Sequence, residues 1–161
     1  MIVIGIDPGK RGGIALYDGQ NMKAYAMPIC KDGTLDIRAV RQIINRGDGV
    51  EVYIEHAQSM PRQGIVATFT YGREFGRLLG TVEIICGNYE PVKPQVWQRP
   101  IYQGIRGKGK ERSIKTCKIL FPSFDLPTLT PRSKKPHDGI ADAMLIAYYG
   151  YLMEMGKRNR K

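Results

Sequence analysis

The chain opens on a short apolar run, IVIGI at residues 2–6, closed by Asp7-Pro8-Gly9. Five largely β-branched residues followed by a turn tripeptide predict a buried strand. GIALYDG (13–19) and MKAYAM (22–27) predict two more, joined by an Asp18–Asn21 turn into a hairpin. In LDIRAVRQIINR (35–46), Ile37, Val40, Ile43 and Ile44 recur at helical spacing, with Gly47 placed to stop the helix. VEVYIEH (50–56) alternates, so Val50, Val52 and Ile54 face one way and Glu51, Tyr53 and Glu55 the other. Residues 62–86 predict a long helix, ended by Gly87-Asn88, and YEPVK (89–93) a fifth strand. A short helix near Pro94–Arg99, a Gly/Lys-rich loop (Gly104–Lys110), a helix from Lys110 to Leu120 and a Pro-rich loop (122–136) follow. The closing helix is HDGIADAMLIAYYGYLMEMGK, with Ile140, Met144, Ala147, Tyr148 and Tyr151 on one stripe. Three strands first, then strands alternating with helices, predict an α/β domain built on a mixed sheet.

The long helix carries an oddity. Gly64, Thr68, Gly72, Gly76 and Gly80 recur every four residues. An interior glycine costs a helix about 1 kcal/mol relative to alanine. A stripe of them calls for a closely approaching backbone, either the sheet or the same helix of a second subunit.

At 161 residues with 42% apolar content, one globular domain is expected, residues 1–156, followed by a basic tail at 157–161. No apolar run has the length that spans a bilayer, and the N-terminus lacks the order of a signal peptide. Cys30, Cys86 and Cys117 are far apart and odd in number, which argues against a disulfide framework or a cysteine zinc site and fits a reducing cytoplasm.

Charge changes the picture by its location. The net charge is +10, yet residues 1–60 hold seven Lys/Arg against seven Asp/Glu. The excess lies beyond residue 60. Residues 91–118 alone carry Lys93, Arg99, Arg106, Lys108, Lys110, Arg112, Lys115 and Lys118 against Glu111. A basic half joined to a neutral half suggests a polyanion-binding surface; the plainer alternative is a solvated basic face.

Four acids fall at ends of elements: Asp7 after the first strand, Glu55 near the end of the fourth, Asp138 and Asp142 one turn apart at the start of the last helix. Four residues along a helix return to the same face within about 40°. Each acid has an ordinary reading, as a turn, a strand end, a cap or a surface charge. Together they suggest a carboxylate cluster, whose repulsion a divalent cation removes. Oxygen donors without cysteine favour Mg²⁺, with Mn²⁺ as a substitute, over zinc. Two such ions can activate water and stabilise the leaving oxygen in phosphodiester cleavage. His56 and His137 flank acids, and His137 beside Asp138 is a candidate proton shuttle. Trp97 and Tyr102 read as local packing.

IGIDPG with GGIA soon after, YIEHAQSMPRQG, PVKPQVWQ and HDGIADAMLIAYYG, in that order, resemble the RuvC family of Holliday junction resolvases, its phage and organellar branches most of all. The resemblance spans residues 2 to about 150. It implies an RNase H-like mixed five-stranded sheet with helices on both faces, and a homodimer that cuts four-way DNA junctions with Mg²⁺, a crossover junction endodeoxyribonuclease. By position it implies Asp7, Glu55, Asp138 and Asp142 as catalytic and metal-binding residues, and a glycine-striped helix at the dimer interface. Many bacterial members space the last two acids by three residues; here the spacing is four. The family often carries an aromatic residue three positions after the strand-four glutamate; here that position is Gln58, with Met60 the nearest apolar residue. Expected DNA contacts are Gln58, Met60, Arg62, Lys108, Lys110, Arg112 and Lys115. The rivals are a related nuclease acting on flaps, forks or an RNA strand, a non-catalytic DNA-binding module, and an actin-like ATPase. The last needs two such domains and a second phosphate loop.

Overall fold

The computed structural model describes residues 1–56, 64–130 and 132–160. Strands β1 (Ile2–Asp7), β2 (Gly13–Tyr17), β3 (Met22–Ala26), β4 (Val50–Glu55) and β5 (Glu90–Val92) form one sheet in the order β3-β2-β1-β4-β5. The first three pair antiparallel; β1–β4 and β4–β5 are parallel. Helices α1 (Ile37–Ile44), α2 (Ile65–Cys86), α3 (Pro94–Ile101), α4 (Gly109–Leu120) and α5 (Asp138–Arg158) cover it. The mixed five-stranded sheet with helices on both faces is thus present as expected.

Local chemistry explains the boundaries. The β2 strand stops at Tyr17 because Asp18 turns the chain: its Oδ1 accepts the amides of Gln20 (2.8 Å) and Asn21 (2.6 Å). Helix α1 starts at Ile37, the first residue of its apolar pattern, because Asp36 caps it, accepting the Ala39 amide at 3.1 Å. Helix α2 ends at Gly87, where φ is +83°. Helix α5 runs through Arg158, so Lys157 and Arg158 form its last turn rather than a tail. Cations suit that end of the helix dipole, and Lys157 also pairs with Glu154 at 2.6 Å.

The two faces of the sheet carry separate cores. Ile4, Ile6, Ile14, Leu16, Val52 and Ile54 pack against α1 and α2, meeting Val40, Ile44, Leu78 and Val82. Val3, Ala15, Tyr53 and Val92 pack against α5, with Trp97, Tyr102 and Cys117 closing that layer. Helix α5 is buried on nearly every side from Gly139 to Ala147, because the sheet lies beneath it and α3 and α4 lie beside it. Burying a side chain such as Ile140, Met144, Leu145 or Ile146 contributes roughly 1.5–3 kcal/mol.

Glycine lets α5 press onto the sheet. A Cβ on Gly5 would overlap the backbone of Ala143 and Ala147, and one on Gly13 would lie 2.8 Å from the Gly139 carbonyl. The α2 stripe behaves differently. Among the described residues, a Cβ on Gly64, Gly72, Gly76 or Gly80 would meet nothing within 4 Å, so the sheet is not the neighbour the stripe accommodates. Beside it, Ile65, Val66, Phe69 and Ile84 are 72–88% exposed. All three cysteines are free, and among the described residues no helix is long and apolar enough to cross a membrane.

Candidate active site

The β1–β4 register ends with Ile6 opposite Ile54, so Asp7 and Glu55 stand side by side one residue further on. Alternation turns both toward the α5 face, together with Gly5 and Tyr53. Neighbouring strands lie about 4.8 Å apart, which brings these carboxylates within reach of each other. Helix α5 supplies the other two acids. A Cβ on Gly139 would overlap the Arg11 carbonyl, so the first turn of α5 is clamped against the β1–β2 turn. Asp138 and Asp142 then project over the end of β1. All four predicted acids meet at one end of one sheet face.

Their electrostatics record the convergence. Burial pushes the Asp7 carboxyl well above the ordinary range, and the charges of Asp142, Glu55 and Asp138 push it further. Burial raises Asp142 to about 6 against a hydrogen bond from Ser113, with Glu55 and Asp138 adding to the rise. Glu55 is raised by burial and partly relieved by Trp97, whose Nε1–H donates to its Oε2 at 2.8 Å. Among the described residues Lys110 is the cation paired with the cluster, its Nζ 2.6 Å from Asp138 Oδ2.

The donor set fits a hard divalent cation. It is all oxygen, it carries more negative charge than Lys110 offsets, and Asp142 Oδ1 is buried with no hydrogen-bond partner among the described residues. No three described acidic, histidine or cysteine side chains gather around one point as they stand.

Three residues support the acids that the sequence did not mark as functional. Trp97, fully buried, packs edge-on against Tyr102 (5.6 Å between ring centroids) and also holds Glu55. Ser113 lies beside Asp142, where it offsets part of that acid's rise, and shares a 2.7 Å hydrogen bond with the Tyr102 hydroxyl. These contacts join residues distant along the chain, so no local pattern announces them.

The predicted cations divide. Lys110 and Lys115 line a groove that opens beside Asp138, and Arg11, Lys118 and Lys135 line it with them. Lys108 precedes α4 and is exposed. Arg112 turns inward instead: it donates to the Tyr102 carbonyl at 2.7 Å, and its guanidinium sits 4.8 Å from the Tyr102 ring centroid. It braces α3 against α4 rather than facing the groove. His137 caps α5, its Nδ1 accepting the Ile140 amide at 3.2 Å. Burial lowers its pKa and favours the neutral ring, which leaves Nε2 as the nitrogen not engaged in the cap. Gln58, Met60 and Arg62 lie outside the described residues.

Neither a family model nor a curated protein matches the chain. Solved structures do. The Thermus thermophilus RuvC structure aligns with a TM-score of 0.61 at 21% identity, over 97% of each chain. T. thermophilus RuvC in complex with Holliday junction substrate aligns at 0.64 and 19%, over 97% of this chain and 96% of that one. The chain therefore has the RuvC-like, RNase H-like fold.

Proposed function

We propose that this protein is a divalent-metal-dependent endonuclease that cuts branched DNA, with the four-way junction as its main substrate and paired cuts made by a homodimer. One observation carries the reading: four carboxylates converge at one end of one sheet face, one of them, Asp138, on the wall of a cation-lined groove, and one oxygen of Asp142 is buried and unpartnered among the described residues. The fold supports it, as does the Holliday junction held by the similar T. thermophilus RuvC.

Asp7, Glu55, Asp138 and Asp142 would hold Mg²⁺ or Mn²⁺. When bound, such ions supply the charge that activates water and stabilises the leaving oxygen in phosphodiester hydrolysis. The chain's own residues do the rest. Trp97 fixes the Glu55 carboxylate in one orientation, and Ser113 stands beside Asp142 and favours its charged form. Lys110, released from Asp138, is placed to meet the incoming phosphate, while Arg11, Lys115, Lys118 and Lys135 hold the strand by its backbone. Such contacts set position and carry no sequence information. The products would be 5′-phosphate and 3′-hydroxyl ends. The exposed glycine face of α2, flanked by Ile65, Phe69 and Ile84, is where a second copy would pack, presenting two sites to one junction.

The test is incubation with a labelled synthetic four-way junction, a fork and a linear duplex, each with and without Mg²⁺. Mg²⁺-dependent, symmetric cutting of the junction, lost in Asp7→Asn, is expected. Cutting of the fork alone would favour a different branched substrate. Binding without cutting would leave a non-catalytic DNA-binding module.

A further inference from the structure

A cavity of about 330 Å³ lies beneath the β1–β2 turn, separate from the cationic groove. We propose that it is a nucleobase pocket, taking one base unstacked from a strand whose neighbouring phosphate lies at the acid cluster. The proposal rests on the nuclease reading above and names what that site holds besides phosphate.

Position is the first argument. Pro8 and Gly9, which form one lip, directly follow Asp7 in the chain. Tyr71 lines the cavity, and its ring edge lies 3.6 Å from where a Gly9 Cβ would stand. The charges of Asp7 and Glu55 reach its hydroxyl and, after burial, push its pKa up to about 12. The opening therefore adjoins the sheet end that carries the acids, across the Pro8–Gly9 turn from the α5 face.

The walls are the second argument. The Tyr71 and Phe75 rings lie nearly parallel, 11° apart with centroids at 6.4 Å, and offer a flat aromatic platform. Met27 and Leu35 complete a mainly apolar lining. Every base has a face that stacks on such a platform. The volume is at the small end for ligand sites, which suits one planar ring system rather than a larger ligand.

Polar groups at the edge are the third. Lys10 reaches across to Gly33, its Nζ 2.9 Å from where a Cβ would stand, so a cation spans the mouth where a phosphate would pass. Glu74 is held in place by the Leu35 amide at 2.8 Å and by Arg77 at 2.7 Å. The pocket uses Tyr71, Glu74, Phe75 and Leu78 of α2, whereas Gly72, Gly76 and Gly80 lie off it, so a second copy seated on the glycine face leaves the pocket free. Unstacking costs least where pairing is already interrupted, as at a junction centre.

The experiment scans 2-aminopurine through the three nucleotides on either side of the cut in a four-way junction, bound with Ca²⁺ in place of Mg²⁺. One position should change emission sharply while its neighbours do not. An abasic site there should weaken wild-type binding about 5- to 100-fold, the range of base–aromatic stacking. Ala67→Trp fills the cavity from its exposed rim. This variant should bind the intact junction as wild type binds the abasic one, with no further loss on the abasic junction. An unchanged emission at every scanned position overturns the pocket, as does an equal abasic penalty in wild type and Ala67→Trp. The scan needs no variant, so misfolding of Ala67→Trp cannot hide the answer. If wild type fails to bind the junction at all, the nuclease reading falls first and the pocket falls with it.

Discussion

Gly5→Ala tests how the site is assembled. The added carbon would stand 2.8 Å from Ala147 Cα, and closer still to the Ala147 amide and the Ala143 carbonyl. Carbon atoms in contact prefer about 3.5–4.0 Å. The obstacles are backbone atoms of α5 in its fully buried stretch, so no side chain can swing aside. Helix α5 must withdraw from β1 by about 1 Å, the difference between those separations. Overpacking of this kind costs about 1–3 kcal/mol. At this chain length each kcal/mol lowers Tm by about 2–4 °C. Asp138 and Asp142 ride on the displaced helix while Asp7 stays on β1, and a 1 Å misplacement costs about 10²-fold in rate. The assays are urea denaturation and single-turnover junction cleavage at saturating Mg²⁺. The expected result is a stability loss of that size together with a much larger fractional loss of rate than Val3→Ala, which is matched in stability but lies away from the acids. Stability within about 0.5 kcal/mol of wild type, the range of an ordinary surface change, together with unchanged cleavage would refute the argument.

Further outcomes follow from the same structure. Trp97→Phe keeps most of the packing and removes the donor to Glu55, a charged hydrogen bond of about 1.5–3 kcal/mol; cleavage should fall about tenfold or more, and a wild-type rate would contradict the positioning role. Asp142 has a folded pKa of about 6, above its ordinary 3.8, and Asp7 and Glu55 are raised as well. The folded state thus holds more protons than the unfolded state between about pH 4 and 6, and the stability this gives is lost as pH rises through the folded values. In EDTA, urea denaturation should show about 1 kcal/mol less stability at pH 7.5 than at pH 5 from Asp142 alone, and Asp142→Asn should flatten the profile; a stability that rises over this range would contradict it. Gly76→Ala meets open space among the described residues, so helix propensity alone predicts a gain of about 1 kcal/mol for an isolated copy. If two copies pack there, sedimentation should instead show weaker self-association. Lys118→Ala and Lys135→Ala should each weaken junction binding and lower the slope of log K against log salt by about 1; an unchanged slope would remove that residue from the strand's path.

Strands, helices and the four acids were legible because each is a local pattern: β-branched runs, 3.6-residue spacing, an acid at the end of an element. What held the acids in place was not. Trp97 and Glu55 are 42 residues apart, and nothing near either predicts their hydrogen bond. Arg112 reads like its basic neighbours, because charge shows in the sequence and side-chain direction does not; the structure turns it onto Tyr102. The glycines drew attention to α2, where regular spacing made them visible, yet within this chain Gly5, Gly13 and Gly139 do the close packing. Single glycines at a strand centre or helix start carry no period. Tyr71 and Phe75 stand four residues apart, an ordinary helical spacing, and only the fold brings the Pro8–Gly9 turn beside them.

The central claim is that four side chains brought together by the fold share a divalent cation. Titrating Mn²⁺ into the protein, with free ion followed by electron paramagnetic resonance, measures it without substrate or turnover. Wild type should bind the ion saturably, and Asp7→Asn, Glu55→Gln, Asp138→Asn and Asp142→Asn should each raise the dissociation constant several-fold or more while remaining folded. Binding in Asp7→Asn or Asp142→Asn equal to wild type, or no saturable binding in wild type, would contradict the account.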